Sequence, residues 1–123
     1  MDAFENLDVW KRSSRLCVDV YQALRRCRDR GFKDQITRAA LSVPSNIAEG
    51  CERDSSKEYV RFLRIAKGSC GELRTQLYIG AEIGYLSRTV MKTMVSEARD
   101  INRMLHGLIR SFVESDNDPD LKG

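Results

Sequence analysis

A line of basic residues in the last third of the chain carries the clearest chemical signal in this sequence. It consists of Arg88, Lys92, Arg99, Arg103, His106 and Arg110. At about 100° per residue in a helix, these side chains project within about 60° of one another, opposite an apolar stripe. Glu97 and Asp100 lie off the line. Because a solvated helix face normally alternates in sign, this face favours contact with the phosphates of a nucleic acid over simple solvation.

A second basic set, Lys57, Arg61 and Arg64, recurs at i, i+4 and i+7, although Glu58 and Glu82 dilute it. We include these three residues in the predicted nucleic-acid interface. No aromatic residue is interleaved with the first line, so base stacking is not expected from it. Binding should therefore depend on salt and hardly on base sequence.

The sequence contains few residues in patterns that could support catalysis. His106 is the only histidine, and no nucleophile or orienting partner is evident for it. The cysteines lack the spacing of a zinc site, and no Glu-x-x-His motif of the di-iron bundles occurs. We expect no enzymatic activity, no cofactor and no metal.

Four amphipathic helices must position these side chains. Apolar residues recur at helical spacing over about residues 8–30, 35–50, 56–84 and 88–113, and no strand pattern occurs. Asp8 is the predicted cap of the first helix and Gly31 its end, Ser55 with Glu58 forms a capping box, and Gly84 precedes a cap at Ser87. Short connections between such helices predict an all-α, antiparallel up-down-up-down four-helix bundle.

The second helix, QITRAALSVPSNIAEG from Gln35 to Gly50, has small residues on its apolar face and Pro44 within it. Pro44 favours a kink, and Gly50 offers a stop signal. Asn46 and Glu49 invite a functional interpretation. The structural alternative, which we favour, is that Asn46 hydrogen-bonds across the bundle and Glu49 pairs with an arginine.

The same stretch carries a resemblance to a known family. Together with Trp10, the Arg53–Ser55–Lys57–Glu58 spacing, Phe62-Leu63, Ile65-Ala66, Gly68-Ser69, Glu72-Leu73 and Gly84-Tyr85-Leu86-Ser87, it resembles the four-helix-bundle proteins encoded in intervening sequences of bacterial 23S ribosomal RNA genes. That family is similar in turn to the accessory variability protein of diversity-generating retroelements, a basic bundle that binds nucleic acid and a reverse transcriptase. The resemblance implies a ring-like homopentamer and no established enzymatic activity.

Charge and composition divide the chain into two parts. The net charge is +3, but residues 114–123 carry Glu114, Asp116, Asp118, Asp120 and Lys122, so residues 1–113 hold +6. We assign residues 1–113 to one bundle domain and residues 114–123 to a disordered acidic tail. A basic body suggests a polyanionic partner.

The expected location is the cytoplasm, because the N-terminus does not look like a signal peptide and no apolar run is long enough for a membrane span. Cys17 and Cys27, placed on one helix, would lie about 15 Å apart along its axis, too far to bridge. The four cysteines are therefore expected to be reduced thiols.

Protein interaction is the alternative function, either as a scaffold or as an accessory factor for a nucleic-acid enzyme such as a reverse transcriptase. Apolar residues beside the core stripes are Ile65, Ile79, Ile83, Val95, Ile109 and Val113. They either widen the core or form an exposed patch, and a patch would favour a homo-oligomer.

Overall fold

The computed structural model describes residues 3–117, and over that range all regular secondary structure is helical. A short 3₁₀ turn at Phe4–Asn6 precedes α1 (Asp8–Ala23), α2 (Arg30–Cys51), α3 (Ser56–Ile83) and α4 (Arg88–Asn117). Each helix packs on the next, and α1 also packs on α4, which closes a four-helix bundle. The packing of α2 on α3 is the most extensive, and that of α1 on α4 is the sparsest. The all-helical prediction is confirmed for the described residues.

The first helix is shorter than expected. It ends at Ala23, and the chain then passes through residues 24–29 before α2 begins at Arg30. Asp29 is the N-cap of α2, because its Oδ1 accepts a hydrogen bond from the Phe32 N–H at 3.1 Å. Gly31 therefore lies inside the first turn of α2, and the prediction that it ends the first helix is wrong.

Two further predictions for the first helix also change. Cys27 lies in the connection and not on α1, so its separation from Cys17 does not follow from a shared helix. Asp8 is the first residue of α1, while the N-cap is Leu7. The Asp8 carboxylate still lies at the helix N-terminus, where the helix dipole favours a negative charge.

The remaining predicted helix ends are correct to within a few residues. The Ser55 hydroxyl accepts from the Glu58 N–H at 3.2 Å, and the Ser87 hydroxyl accepts from the Val90 N–H at 3.1 Å. Gly84 ends α3 with a φ of 98°, which an L side chain rarely adopts. These three local signals are confirmed: Ser55 marks the start of α3, and Gly84 with Ser87 explains why the turn between α3 and α4 could be located from sequence.

Inside α2, Pro44 and Gly50 serve packing. The helix runs through Pro44 without interruption. It ends at Cys51, one residue after the predicted stop at Gly50. A Cβ on Gly50 would lie only 2.9 Å from the Cβ of Phe62 and 3.2 Å from the Tyr59 backbone oxygen. The missing side chain is what lets the last turn of α2 approach α3.

The core follows the predicted stripes. Its largest fully buried side chains include Leu24, Ile36, Ile47, Leu63, Leu73, Leu77, Ile101 and Leu105. Val95 and Ile109 join this core, whereas Ile65, Ile79 and Ile83 are 41%, 46% and 55% exposed. The flanking apolar residues thus differ between the helices: those of α4 widen the core, and those of α3 are exposed.

At the C-terminal end, α4 extends to Asn117, four residues past the predicted boundary at residue 113. Residues 118–123, the rest of the predicted acidic tail, lie outside the described residues. Within residues 3–117, none of the helices combines the length and the apolar content needed to cross a bilayer.

Candidate nucleic-acid interface

The basic line of α4 lies along the flank of that helix that contacts α3, and not opposite the core as predicted. Two side-chain contacts establish this placement. Arg99 Nη2 donates a hydrogen bond to the Tyr78 hydroxyl oxygen at 3.0 Å. Farther along α4, Lys67 Nζ lies 3.2 Å from His106 Nδ1, which accepts its hydrogen bond when the imidazole is neutral. The line is therefore half of a surface to which α3 contributes the other half.

Sequence reasoning included Lys57, Arg61 and Arg64 of α3 but missed the α3 residues that adjoin the α4 line. Lys67, Gly71, Arg74 and Tyr78 recur at i, i+4, i+7 and i+11 and so occupy one flank of α3. The α4 residues Arg99, Arg103, His106 and Arg110 repeat the same spacing on the antiparallel neighbour. We call these eight residues the α3–α4 seam. The shared spacing is visible in the sequence, but only the packing shows that the two lines adjoin.

Positive charge dominates the seam. Its members include two lysine or arginine residues from α3 and three arginines from α4, and none of the eight is acidic. Arg74 and Arg99 make no ion pair with the side chains of residues 3–114, and the Arg74 Nε is enclosed without a hydrogen-bond partner there. Neither charge is therefore neutralised by a carboxylate of those residues.

Two seam arginines already have carboxylate partners. Arg103 Nη1 lies 2.7 Å from Asp100 Oδ1, and Arg110 Nη2 lies 3.0 Å from Glu114 Oε1. The two arginine side chains are 73% and 65% exposed, so water screens both pairs strongly. Exposed pairs of this kind contribute only about 0–1 kcal/mol. A phosphate group can therefore replace either carboxylate at small cost.

The other predicted contact residues are distributed more widely. Lys92 is exposed, and Arg88 lies 3.4 Å from Glu82 near the turn between α3 and α4. On α3, Lys57 and Arg64 are exposed. Of these four, Arg88 alone contacts the neighbouring helix, and its partner there is an acidic residue outside the seam.

Arg61 has a different setting. It lies 2.8 Å from Glu58, and its guanidinium carbon sits 4.6 Å from the centre of the Phe62 ring. Arg53, just after α2, approaches the same ring at 4.9 Å. These cation–π contacts place Arg61 beside the α2–α3 turn, away from the seam, where it stabilises the packing of Phe62.

The α2 motif residues have structural roles, but only Glu49 has the predicted kind of partner, because it lies 2.5 Å from Arg53. Asn46 Nδ2 donates to the Ser42 carbonyl oxygen at 2.8 Å and lies 2.9 Å from the Ser42 hydroxyl, so its hydrogen bonds stay within α2 and not across the bundle as predicted. The contact across to α3 is made by the Ser42 hydroxyl, which is 2.7 Å from the Ser69 hydroxyl.

Two acidic residues of α4, Glu97 and Asp100, are engaged by α1 on the other flank. Arg12 of α1 donates to both Glu97 carboxylate oxygens, at 2.6 and 2.9 Å, and to Asp100 Oδ2 at 3.2 Å. The hydrogen bond to Glu97 raises the pKa of the Arg12 guanidinium further above its already high value. Sequence reasoning alone would place Arg12 on an outward face. Glu97 and Asp100 therefore contact α1, whereas Arg99 and His106 contact α3.

Two groups with strongly raised pKa values lie in the core and not at this surface. Burial raises the pKa of Tyr59 to about 12 and that of Cys70 to about 11. The Cys70 thiol donates to the Ala98 carbonyl oxygen at 3.1 Å, which ties α3 to α4. Among the described residues, no three His, Cys, Asp or Glu side chains lie close enough to hold a metal ion. What the surface offers is a set of hydrogen-bond donors for anions.

Comparisons with known proteins agree with this architecture. A family model described as "23S rRNA-intervening sequence protein" matches residues 5–107. The crystal structure of a protein of unknown function from the S23 ribosomal protein family of Bacteroides thetaiotaomicron VPI-5482 superimposes with a TM-score of 0.77 and 23% sequence identity. The match covers 82% of this chain and 97% of that one, and at this identity it shows the fold alone. No curated protein matches the sequence significantly.

Proposed function

The chain belongs to the 23S rRNA-intervening sequence protein family, and from this premise we propose that it is a non-enzymatic helical bundle that binds nucleic acid. The contacts are to phosphates of RNA or DNA and depend little on base sequence. The observation that carries the proposal is the α3–α4 seam, where five lysine and arginine side chains and His106 share one surface without a seam carboxylate. Neutralising phosphates releases condensed counterions, which makes such binding favourable and salt-dependent.

Arg99 and Arg103 are the central contacts of this surface. Arg99 lacks a carboxylate partner among residues 3–114, and the Arg103 pair with Asp100 is largely exposed. Replacing both by Gln should weaken binding to all sequences alike. For duplex DNA, the slope of log affinity against log salt should flatten by about 0.9 for each phosphate interaction that the substitutions remove in each engaged subunit.

The measurement is a salt titration of affinity, with circular dichroism to verify the fold. The control is Arg26→Gln with Arg28→Gln, which removes the same charge from positions in the α1–α2 connection. An effect of equal size in the control would attribute binding to net charge and not to the seam. An unchanged affinity and slope in the seam variant would remove this surface from the site.

We further propose that the protein forms a homo-oligomer, in line with the homopentamers of the relatives it resembles. The exposed Ile65, Ile79 and Ile83 support this proposal, because soluble monomers rarely leave a large apolar patch uncovered. A ring would repeat the seam and multiply weak contacts. The similarity to the retroelement variability protein stays a prediction.

The same isoleucines favour the second candidate function, a scaffold or accessory factor for a nucleic-acid enzyme such as a reverse transcriptase. Its test is co-purification of a protein partner that survives both high salt and nuclease. If the wild type shows no binding to nucleic acid at low salt, this second function takes first place.

A further inference from the structure

Tyr78 brings an aromatic ring to the basic surface. It lies on α3, its side chain is 43% exposed, and its hydroxyl oxygen accepts the hydrogen bond from Arg99 at 3.0 Å. The α4 line itself contains no aromatic residue, yet packing places this ring directly beside it. The expectation that base stacking is absent therefore applies to α4 alone and not to the seam.

We propose that Tyr78 is a stacking platform for an unpaired base, and that the seam binds single-stranded nucleic acid in preference to duplex. This inference rests on the proposed function and names its ligand. In a duplex, the base faces are covered by neighbouring bases, so an exposed ring has nothing to stack on. In a single strand the faces are free, and an aromatic side chain beside a basic groove holds the base while cations hold the backbone.

The surroundings of the ring suit this role. The hydrogen bond from Arg99 anchors the hydroxyl end of the ring. Arg74 and Gly71 lie four and seven residues before Tyr78 on the same flank of α3. A Cβ on Gly71 would meet nothing within 4 Å, so no side chain fills the space there. A strand lying along the seam from Tyr78 to Lys67 has about 16 Å of helix surface to follow.

The cations are placed for the backbone of such a strand. Arg99 donates a hydrogen bond to Tyr78 itself. Arg74 lies one helical turn from Tyr78 and has no ion-pair partner among residues 3–114. At the far end, the Lys67 ammonium keeps N–H groups beyond the one directed at His106, and these can contact a phosphate. The surface thus combines one base contact at Tyr78 with phosphate contacts along its length.

The test compares four probes of equal length by fluorescence anisotropy at low salt. They are oligouridylate RNA, oligothymidylate DNA, an abasic phosphodiester chain and a DNA duplex. The wild type should bind both single strands about fivefold or more tightly than the abasic chain, the lower range for stacking of one base. Tyr78→Leu should reduce the single-strand affinities to that of the abasic chain and leave the abasic affinity unchanged.

Two variants serve as controls. Tyr78→Phe keeps the ring and should retain most of the single-strand preference. Tyr21→Leu removes a tyrosine that is also 43% exposed but lies on α1, and it should change nothing. A decrease of affinity in Tyr21→Leu equal to that in Tyr78→Leu would overturn the assignment. Circular dichroism verifies that each variant is folded.

The outcomes separate this inference from the proposed function. If the wild type binds single strands and the abasic chain equally, or if Tyr78→Leu keeps the preference, stacking at Tyr78 is overturned while phosphate binding stands. If the wild type binds none of the four probes, both fail together. Equal decreases on RNA and DNA in Tyr78→Leu support stacking as the interaction that the two ligands share.

Discussion

Acidic and basic side chains of α4 contact different neighbouring helices. Arg12 of α1 engages Glu97 and Asp100, while Arg99 and His106 contact Tyr78 and Lys67 of α3. Taken as a linear pattern, the cations of α4 form an isolated stripe. In the folded protein they adjoin an aromatic residue and further cations, and this neighbourhood is what makes single-stranded nucleic acid the expected ligand.

Asp29 predicts a pH dependence of stability. Hydrogen bonds from the Phe32 N–H and then from the Tyr85 hydroxyl hold the pKa of Asp29 below its ordinary value of 3.8. A pKa that is lower in the folded state stabilises the protein above the unfolded value, and this stabilisation disappears as the pH falls through the folded value. Thermal unfolding at pH 6 and below pH 3 should therefore show a smaller acid destabilisation for Asp29→Asn than for the wild type.

Asp34→Asn, at an exposed position one turn into α2, is the matched control for that experiment. Tyr85→Phe removes one of the two hydrogen bonds and should give an intermediate result. An acid destabilisation in Asp29→Asn as large as in the wild type would show that the cap and the Tyr85 hydrogen bond do not couple to folding.

The end of α2 packs tightly on α3. Gly50 lies against Phe62 and Tyr59, and the Ser42–Ser69 hydroxyl contact ties the same two helices earlier along α2. A residue without a side chain is needed at position 50, because a Cβ there would lie 2.9 Å from the Phe62 Cβ. These contacts belong to the most extensively packed pair of helices in the bundle.

Gly50→Ala should destabilise the protein by about 1–3 kcal/mol, the usual cost of overpacking, because the new methyl group would lie 2.9 Å from Phe62 Cβ. Gly68→Ala is the matched control on α3, where a Cβ meets nothing within 4 Å. That change should be neutral or stabilise by up to about 1 kcal/mol through helix propensity. Urea unfolding measures both, and equal effects of the two substitutions would contradict the close approach at Gly50.

The bundle as a whole presents two different flanks of α3. Lys67 and Tyr78 face α4, while Ile65, Ile79 and Ile83 project about 100° or more away from them around the helix. A subunit contact through the isoleucines would leave the seam accessible. Self-association and nucleic-acid binding are therefore compatible in one assembly.

Ile79→Glu with Ile83→Glu should dissociate the proposed oligomer, because the exposed apolar patch would then carry two charges at the subunit contact. Multi-angle light scattering at micromolar concentration measures the mass. Val18→Glu with Leu41→Glu, at exposed apolar positions of α1 and α2, is the control and should leave the mass unchanged. A monomer mass for the wild type would rule out the oligomer.

Much of the fold could be predicted because its signals are local. The apolar period of α3 and α4, the hydroxyl caps at Ser55 and Ser87 and the glycine at residue 84 each act within one or two helical turns. The end of α1 was misplaced because Gly31 was interpreted as its stop, whereas Asp29 already caps the next helix through the Phe32 N–H. The Tyr85 hydroxyl that also holds the Asp29 carboxylate comes from a distant turn, and a local pattern does not contain that contact.

The candidate site likewise has one feature that the sequence predicts and another that only packing decides. That α4 has a basic face is a property of residue order, since helical geometry places Arg99, Arg103 and Arg110 together whatever surrounds them. Which helix lies beside that face is decided by packing, because the core stripes bring α3 against α4 and set Tyr78 against Arg99 across 21 residues of sequence. The order of residues determined the charge of the surface, and tertiary contacts added the aromatic ring on which the proposed preference for single strands rests.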